Sequence, residues 1–201
     1  ADGYSVFYAF AVNFAAIFYL GIGLIYFRKL LRSYQAGDTA LAFLPPLLVF
    51  GTNIFYYAVI ESSMSHIYSF AAITTFMWYA RVYIISHFKR YFIYSMLLFG
   101  LIILIRPVNG LVILLLPFLA MSPVKLREAF TATVKRPLLL LTGIAGTLTL
   151  ISLQFIIYKI QTGSFFVDAY GDESFDFTNP HIFSFLFSFK KGLFLYLPIT
   201  F

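Results

Sequence analysis

The sequence contains no cysteine and few charged residues. Only 11% of its 201 residues are charged, whereas 61% are hydrophobic and 21% are aromatic. The lack of cysteine excludes disulfides and thiolate chemistry. Soluble domains are about one quarter charged and about half apolar, so this composition excludes an ordinary soluble enzyme and a disordered nucleic-acid-binding tail. No nucleic acid is expected as a partner. The composition predicts an all-α polytopic membrane protein, built as a bundle of transmembrane helices.

The apolar residues form long runs separated by short polar stretches, namely 6–27, 40–60, 67–85, 91–121, 138–158 and a last run from 192. A bilayer crossing needs about 20 apolar residues. The run 91–121 is interrupted at Arg106-Pro107-Val108-Asn109-Gly110, and we interpret it as a hairpin of two short helices, with a re-entrant or broken helix as the alternative. The sequence thus predicts about six to seven membrane segments in a single transmembrane domain over 1–201. Because it lacks a starting methionine and stops inside an apolar run, we expect a fragment of a longer chain.

The basic residues predict the orientation of this domain. If the stretch 28–38 lies on one side of the membrane, alternation places the stretches 88–90 and 122–136 on the same side. Together with Arg81, these stretches carry ten of the 14 Lys and Arg residues, and the whole chain has a net charge of +6. Cytoplasmic loops are enriched in Lys and Arg. We therefore predict that this side is cytoplasmic and that the N-terminus and the loop 159–191 lie outside. The alternation requires the turn 106–110 to reach the outer side.

Two groups of polar residues on the predicted outer side are candidate site residues. Glu61 and His66 lie on one short loop, and they form either a proton-handling pair or a plain polar turn in which Glu61 or Ser62 caps the next helix. Arg106 and Asn109 interrupt an apolar run. They bind a lipid phosphate, for which the guanidinium fork is suited, or they mark a turn whose arginine reaches the headgroups. Both alternatives stay open for each group.

The remaining polar residues have weaker signals. Arg81, near the inner end of its span, is predicted to reach the membrane surface rather than to be buried. Lys190 and Lys191 anchor the chain to the membrane or bind phosphate. Four carboxylates of the outer loop form a solvated acidic segment or, as the alternative, hold a divalent cation or act as a general base; these are Asp168, Asp172, Glu173 and Asp176. No metal-ligand spacing is evident, so no metal site and no cofactor are predicted.

Several short motifs occur in an order that resembles a known superfamily. They are Asp2-Gly3-Tyr4-Ser5, Gly51-Thr52-Asn53 with Tyr56-Tyr57, the segment 63–70, Arg106-Pro107-Val108-Asn109, Thr162-Gly163-Ser164-Phe165, Tyr170-Gly171 and the segment 187–194. In this order and topology the chain resembles bacterial polytopic glycosyltransferases of the GT-C superfamily, related to protein O-mannosyltransferases and aminoarabinose transferases. The resemblance covers almost the whole chain.

The resemblance implies a function. Such enzymes transfer a sugar from a polyprenyl-phosphate-linked donor to an acceptor outside the bacterial inner membrane, so the expected partners are membrane lipid and a lipid-linked sugar donor. Their catalytic carboxylate lies in the first outer loop, which is expected upstream of Asp2, and the catalytic residue of this chain is therefore unknown. The substrate-binding residues would be Arg106, Asn109, Glu61, His66, Lys190 and Lys191. The alternatives are a transporter or flippase, which interrupted helices also favour, and a non-catalytic structural membrane protein.

Overall fold

The computed structural model describes residues 5–167 and 180–188, and this part of the chain is all-helical. Helices comprise 84% of it, and it contains no strand. The predicted all-α class is therefore confirmed. Several residues of the sequence analysis lie outside the described residues: Asp2, Asp168, Asp172, Glu173, Asp176, Lys190 and Lys191.

Nine α-helices and one 3₁₀ helix follow one another along the described part of the chain. They are α1 (Val6–Ser33), α2 (Asp38–Gly51), α3 (Ile54–Val59), α4 (His66–Ser86), α5 (Lys89–Ile105), the 3₁₀ helix (Pro107–Leu115), α6 (Leu116–Ala120), α7 (Pro123–Val134), α8 (Pro137–Thr162) and α9 (Ile182–Phe187). A proline stands at the first or second position of the 3₁₀ helix, α6, α7 and α8, where its missing N–H leaves no intrahelical bond unmade.

Helix α4 lies at the centre of the bundle. It packs between α1 and α5 and also contacts α6 and α7, and α5 in turn packs against α8. Small residues allow these close approaches, as is typical of helix pairs in membranes. At Gly23, a Cβ atom would lie 2.4 Å from the Phe70 ring, and at Gly100 it would lie 3.0 Å from the carbonyl oxygen of Thr147. The α1–α4 and α5–α8 contacts therefore depend on glycine.

Two helices, α1 and α8, are long and apolar enough to cross a membrane. A third candidate is formed if the helical segments 107–120 and 123–134, bent by 120° relative to one another, are taken as one span. Only 11% of the most apolar part of α1 and of α8 is buried, so the apolar side chains face outward. An apolar exterior of this size is typical of a protein that lies in lipid. The chain is therefore a membrane protein, and these helices account for two or three of the predicted segments.

The prediction that the run 40–60 forms one helix is wrong. The chain leaves the helical conformation at Thr52, whose φ and ψ are −130° and 176°, and α2 and α3 lie on either side. The Thr52 hydroxyl donates to the carbonyl oxygen of Leu48 at 2.6 Å and accepts from the amide of Ile54 at 3.3 Å. This side chain thus replaces backbone bonds that a continuous helix would make, a local competition that hydropathy does not reveal.

The run 91–121 has the shape of the predicted hairpin. Its first arm is α5, the backbone becomes extended at Arg106, and the 3₁₀ helix and α6 form the second arm. Arg106 contacts His66 at the first turn of α4, whereas Leu119 contacts Arg81 near the other end of α4, so the second arm runs back along α4. A 3₁₀ helix rises about 2.0 Å per residue, so this short arm spans roughly 25 Å.

Candidate functional site

Arg106 and His66 contact one another although they are 40 residues apart in the chain. The Nη1 atom of Arg106 lies 3.4 Å from Nδ1 of His66 and donates to it in a long hydrogen bond. Nearby, Nδ2 of Asn109 donates to Oγ of Ser69 at 2.9 Å. Because His66 and Ser69 lie on the first turn of α4, the two bonds fix the hairpin turn to that helix. Three of the predicted site residues, His66, Arg106 and Asn109, therefore lie together.

His66 is in its neutral form at neutral pH. Burial lowers its pKa below the ordinary value of 6.5, the charge of Arg106 lowers the pKa further, and Glu61 acts in the opposite direction. Since Nδ1 accepts from Arg106, the proton of the neutral ring is on Nε2. The ring also lies against that of Tyr57, with 4.0 Å between centroids and 30° between planes. His66 is therefore held as an acceptor for the guanidinium.

Glu61 belongs to the same end of the bundle but does not bond to His66. Its Oε1 atom accepts a hydrogen bond from the Tyr56 hydroxyl at 2.9 Å. The neighbouring Ser62 hydroxyl donates to the side-chain oxygen of Asn13 on α1. The residue that precedes α4 is Ser65, which makes no side-chain cap. The predicted cap by Glu61 or Ser62 is thus wrong, because both side chains bond to other helices.

These contacts define a polar cluster, which we name the hairpin-turn cluster: Tyr56, Tyr57, Glu61, His66, Ser69, Arg106 and Asn109. The positive charge of this cluster is that of Arg106. Its side chain is half-buried, and within the described residues it forms no ion pair. A guanidinium beside apolar helices is costly unless it is solvated or paired. The planar fork has further N–H donors beyond the one given to His66, and such donors match the oxygens of a phosphate or carboxylate. The cluster is thus suited to bind an anion.

A groove of about 800 Å³ lies between α1, α4 and α5. Five tyrosines line it together with aliphatic side chains, and these are Tyr19, Tyr26, Tyr68, Tyr79 and Tyr94. Ile105, the residue before Arg106, also lines the groove, whereas Arg106 and His66 do not. The sequence does not predict this groove. Its only sequence signal is the abundance of tyrosine, which also fits lipid-facing and packing roles.

Arg81 is buried, and the prediction that it reaches the membrane surface is wrong. Its side chain is 6% exposed. Nε donates to Oγ of Ser33 and Nη2 to the carbonyl oxygen of Ser33, both at 2.7 Å, and Nη1 donates to the carbonyl oxygen of Leu119. The Tyr34 ring lies 3.7 Å from the guanidinium. Since Ser33 and Leu119 lie at helix C-termini, where the backbone is electronegative, the charge is compensated inside the protein.

Not all predicted features fall within the described residues. Lys190, Lys191 and the acidic residues of the 159–191 loop lie outside the described residues. Within the described part of the chain, no group of three or more His, Cys, Asp or Glu residues is placed to hold a metal ion. The predicted phosphate ligands that can be located are therefore Arg106 and Asn109.

Comparison with protein-family models, with curated proteins and with solved structures finds no match to this chain. The similarity to GT-C glycosyltransferases rests on the order of the sequence motifs, and it stays a prediction.

Proposed function

We propose that this chain is the membrane-embedded core of a GT-C-like glycosyltransferase, in which Arg106 and Asn109 bind the phosphate of a polyprenyl-phosphate-linked sugar donor. One observation carries this proposal. Arg106 is a half-buried cation at the turn between two apolar arms, and it forms no ion pair within the described residues. An anion that is itself attached to a lipid is the ligand that best compensates such a charge at the membrane surface.

The surroundings of Arg106 support phosphate as the anion. His66 accepts one N–H of the guanidinium and so fixes its orientation, and the Asn109–Ser69 bond fixes the turn. Preorganised donors lose little freedom when they bind a charged ligand. The groove that ends at Ile105 would hold part of the lipid chain.

The proposed orientation places the hairpin-turn cluster outside the cell. Helix α1 would cross the membrane first, followed by the α2–α3 pair, α4, α5, the arm 107–120 and α8. The apolar run that begins at 192 in the sequence would be the last of the proposed six to seven crossings. The clustered basic residues of the chain would then face the cytoplasm, as the enrichment of Lys and Arg in cytoplasmic loops requires. The membrane would be the bacterial inner membrane.

In the proposed reaction, the residues of this chain hold the donor and stabilise the departing lipid phosphate. As the sugar leaves, negative charge grows on the phosphate, and a fixed guanidinium stabilises it more strongly in the transition state than in the ground state. Lys190 and Lys191 would add charge at the same side. Activation of the acceptor hydroxyl needs a general base, and no residue of this chain is assigned that role.

Binding of a fluorescent polyprenyl phosphate to the protein in detergent tests the proposal. Lysine keeps the charge of Arg106 but replaces the fork with a point charge, so Arg106→Lys is expected to weaken binding by about ten- to a hundredfold, and Arg106→Ala at least as much. Arg127→Lys, on the exposed surface of α7, is the matched control and is expected to bind as the wild type does. Wild-type affinity in both Arg106 variants would show that the residue only marks the turn.

A second function, lipid or solute transport, is favoured by one observation. The segments 107–120 and 123–134 form a broken helical pair with a 120° bend, and discontinuous helices often carry the binding sites of transporters. The two functions differ in outcome. A transporter moves a fluorescent lipid-linked sugar across the bilayer of a proteoliposome without altering it, whereas a transferase cleaves the sugar from its lipid in the presence of an acceptor.

A further inference from the structure

Two helices begin with basic residues at the end of the bundle opposite the hairpin-turn cluster. Lys89 and Arg90 are the first two residues of α5, and Arg136 immediately precedes α8. Neither helix has an acidic residue in its first turn or a side-chain hydrogen bond at its cap. Helix N-termini carry a partial positive charge, and acidic residues are preferred there. Basic residues at both positions therefore oppose the helix dipoles.

The two helix starts converge on one concave site. Nη1 of Arg136 donates to the carbonyl oxygen of His87 at 3.0 Å, which holds the start of α8 against the turn between α4 and α5. A cavity of about 560 Å³ is lined there by His87, Phe88, Lys89, Arg90 and Arg136. The Arg90 guanidinium is itself held by the Tyr91 hydroxyl at 2.8 Å. Three cations thus surround one cavity.

An apolar cavity adjoins this basic one. It has a volume of about 430 Å³ and shares Lys89 and Arg136 with the first cavity. Its remaining lining comes from the first turns of α8, with Pro137, Leu138, Leu139 and Thr142, and Leu138 is 75% exposed. The surface therefore changes from cationic to apolar over a distance that one amphipathic molecule can span.

Within the described residues, no acidic side chain lines this site to balance its positive charge. The acidic residues in the described part of the chain are Asp38, Glu61 and Glu128, and none of them lines either cavity. Lys89, Arg90 and Arg136 line one cavity at two helix starts that have no side-chain cap, and this arrangement is suited to an anionic headgroup.

We infer that the two joined cavities form a binding site for an anionic phospholipid, which we name the α5–α8 lipid site. The lipid phosphate lies among Lys89, Arg90 and Arg136, and an acyl chain lies against the exposed Leu138 at the start of α8. A free phosphate ion would satisfy the cations but would leave the apolar cavity open, which favours a lipid as the source of the phosphate. The lipid joins α5 to α8 at the end of the bundle where both helices begin.

This site is independent of the proposed donor site. Helix α5 has 17 residues, so its start lies about 25 Å from the turn at Arg106. Loss of lipid binding here would leave the binding of a polyprenyl phosphate at Arg106 unchanged, and the reverse holds as well.

Lipid titration of the purified protein in detergent tests the inference, with native mass spectrometry and thermal unfolding as the two measurements. Phosphatidylglycerol is expected to bind and to raise the unfolding temperature, whereas phosphatidylcholine and inorganic phosphate at the same concentration are not. The double variant Lys89→Gln/Arg136→Gln is expected to weaken phosphatidylglycerol binding about tenfold or more. Lys125→Gln/Arg127→Gln removes the same charge from the exposed surface of α7 and is expected to bind as the wild type does.

A further variant separates lipid binding from folding. Lys89 is exposed, so Lys89→Glu leaves the fold intact and is expected by itself to weaken phosphatidylglycerol binding severalfold. The inference is overturned if phosphatidylglycerol does not bind, or if the α7 control loses binding to the same extent, which would show that only total charge matters. An equal response to inorganic phosphate would show a free anion site in place of a lipid site.

Discussion

Two arginines of this bundle, Arg81 and Arg106, differ in how their charges are compensated. Arg81 is almost completely buried and donates to Ser33 and Leu119, with the Tyr34 ring beside its guanidinium. Arg106 is half-buried and donates to one imidazole nitrogen. The hydrogen bonds of Arg81 are therefore all made within the protein and stabilise the fold. The guanidinium of Arg106, in contrast, has further N–H donors that can bind a ligand.

Replacement of Arg81 is expected to destabilise the protein strongly. Arg81→Ala removes three hydrogen bonds from a charged donor and leaves the Ser33 and Leu119 carbonyl groups unsatisfied, which we expect to cost about 3 kcal/mol or more. Unfolding in detergent measures the loss. Arg127→Ala, on an exposed part of α7, is the control and is expected to change stability by less than about 0.5 kcal/mol. Equal stability of the two variants would contradict the structural role of Arg81.

His66 is expected to make the stability of the protein depend on pH. Its pKa in the folded state is lowered, first by burial and then by Arg106. Between the unfolded value near 6.5 and the lower folded value, the unfolded state binds more protons. The contribution of His66 to the stability of the folded state is therefore fully present above about pH 6.5, and it is lost as the pH falls through the folded pKa. Protonated His66 also ceases to accept from Arg106, so the turn loosens over the same range.

Thermal unfolding as a function of pH tests this expectation. His66→Gln removes the titrating group and is expected to flatten the loss of stability below about pH 6.5. His87→Gln, at the other end of α4, is the matched histidine control. A wild-type profile in His66→Gln would show that another group causes the pH dependence.

At the scale of helices, glycines set the distance between α5 and α8. A Cβ atom at Gly100 would lie 3.0 Å from the carbonyl oxygen and 3.1 Å from the Cα atom of Thr147, and backbone atoms cannot move aside as a flexible side chain does. Gly100→Ala is therefore expected to destabilise the protein by about 1–3 kcal/mol.

Gly21 is the matched control for Gly100. It lies inside α1, and a Cβ atom there would have no neighbour within 4 Å. Gly21→Ala is expected to be neutral or to stabilise the protein by up to about 1 kcal/mol, because alanine is the better helix former. The two variants are compared by unfolding in detergent. A neutral Gly100→Ala would contradict the close α5–α8 contact.

The sequence predicts helices better than it predicts their arrangement. Runs 6–27, 67–85 and 138–158 correspond to α1, α4 and α8, because long apolar stretches have few alternatives to a helix. The break at Thr52 could not be found from hydropathy, since the hydrogen bonds that the Thr52 hydroxyl makes there are local polar contacts that hydropathy does not measure. The central position of α4 could not be found either, because burial depends on contacts between distant segments.

The candidate site was predictable residue by residue but not as a cluster. Arg106, Asn109, Glu61 and His66 each stand out as polar residues between apolar runs. Their sequence positions do not reveal that Arg106 bonds to His66, which is 40 residues away. The sequence wrongly predicts a surface position for Arg81, because it does not show the carbonyl groups that surround the side chain.

At the scale of the whole molecule, most basic residues of the described part of the chain gather at one end of the bundle, and Arg106 and Lys159 are the exceptions. The gathered residues lie at the end of α1 (Arg28, Lys29, Arg32), at the turn between α4 and α5 (Lys89, Arg90), on α7 (Lys125, Arg127) and at the α7–α8 junction (Lys135, Arg136). Contacts of Arg81 and of Arg136 join these segments. Arg106 lies at the other end with His66. This separation of charge along the bundle is what the predicted orientation requires.

Cysteine labelling can test that orientation, because the chain has no cysteine of its own. Ser63 is exposed in the loop before α4, and Thr131 is exposed on α7 at the basic end. Since cytoplasmic loops are enriched in Lys and Arg, we expect an impermeant thiol reagent to label Ser63→Cys in intact spheroplasts and Thr131→Cys only after the membrane is opened. Labelling of both after lysis is the control for access. If intact spheroplasts label Thr131→Cys and not Ser63→Cys, the orientation is inverted. The hairpin-turn cluster would then face the cytoplasm, which would contradict the proposed transferase site on the outer side of the membrane.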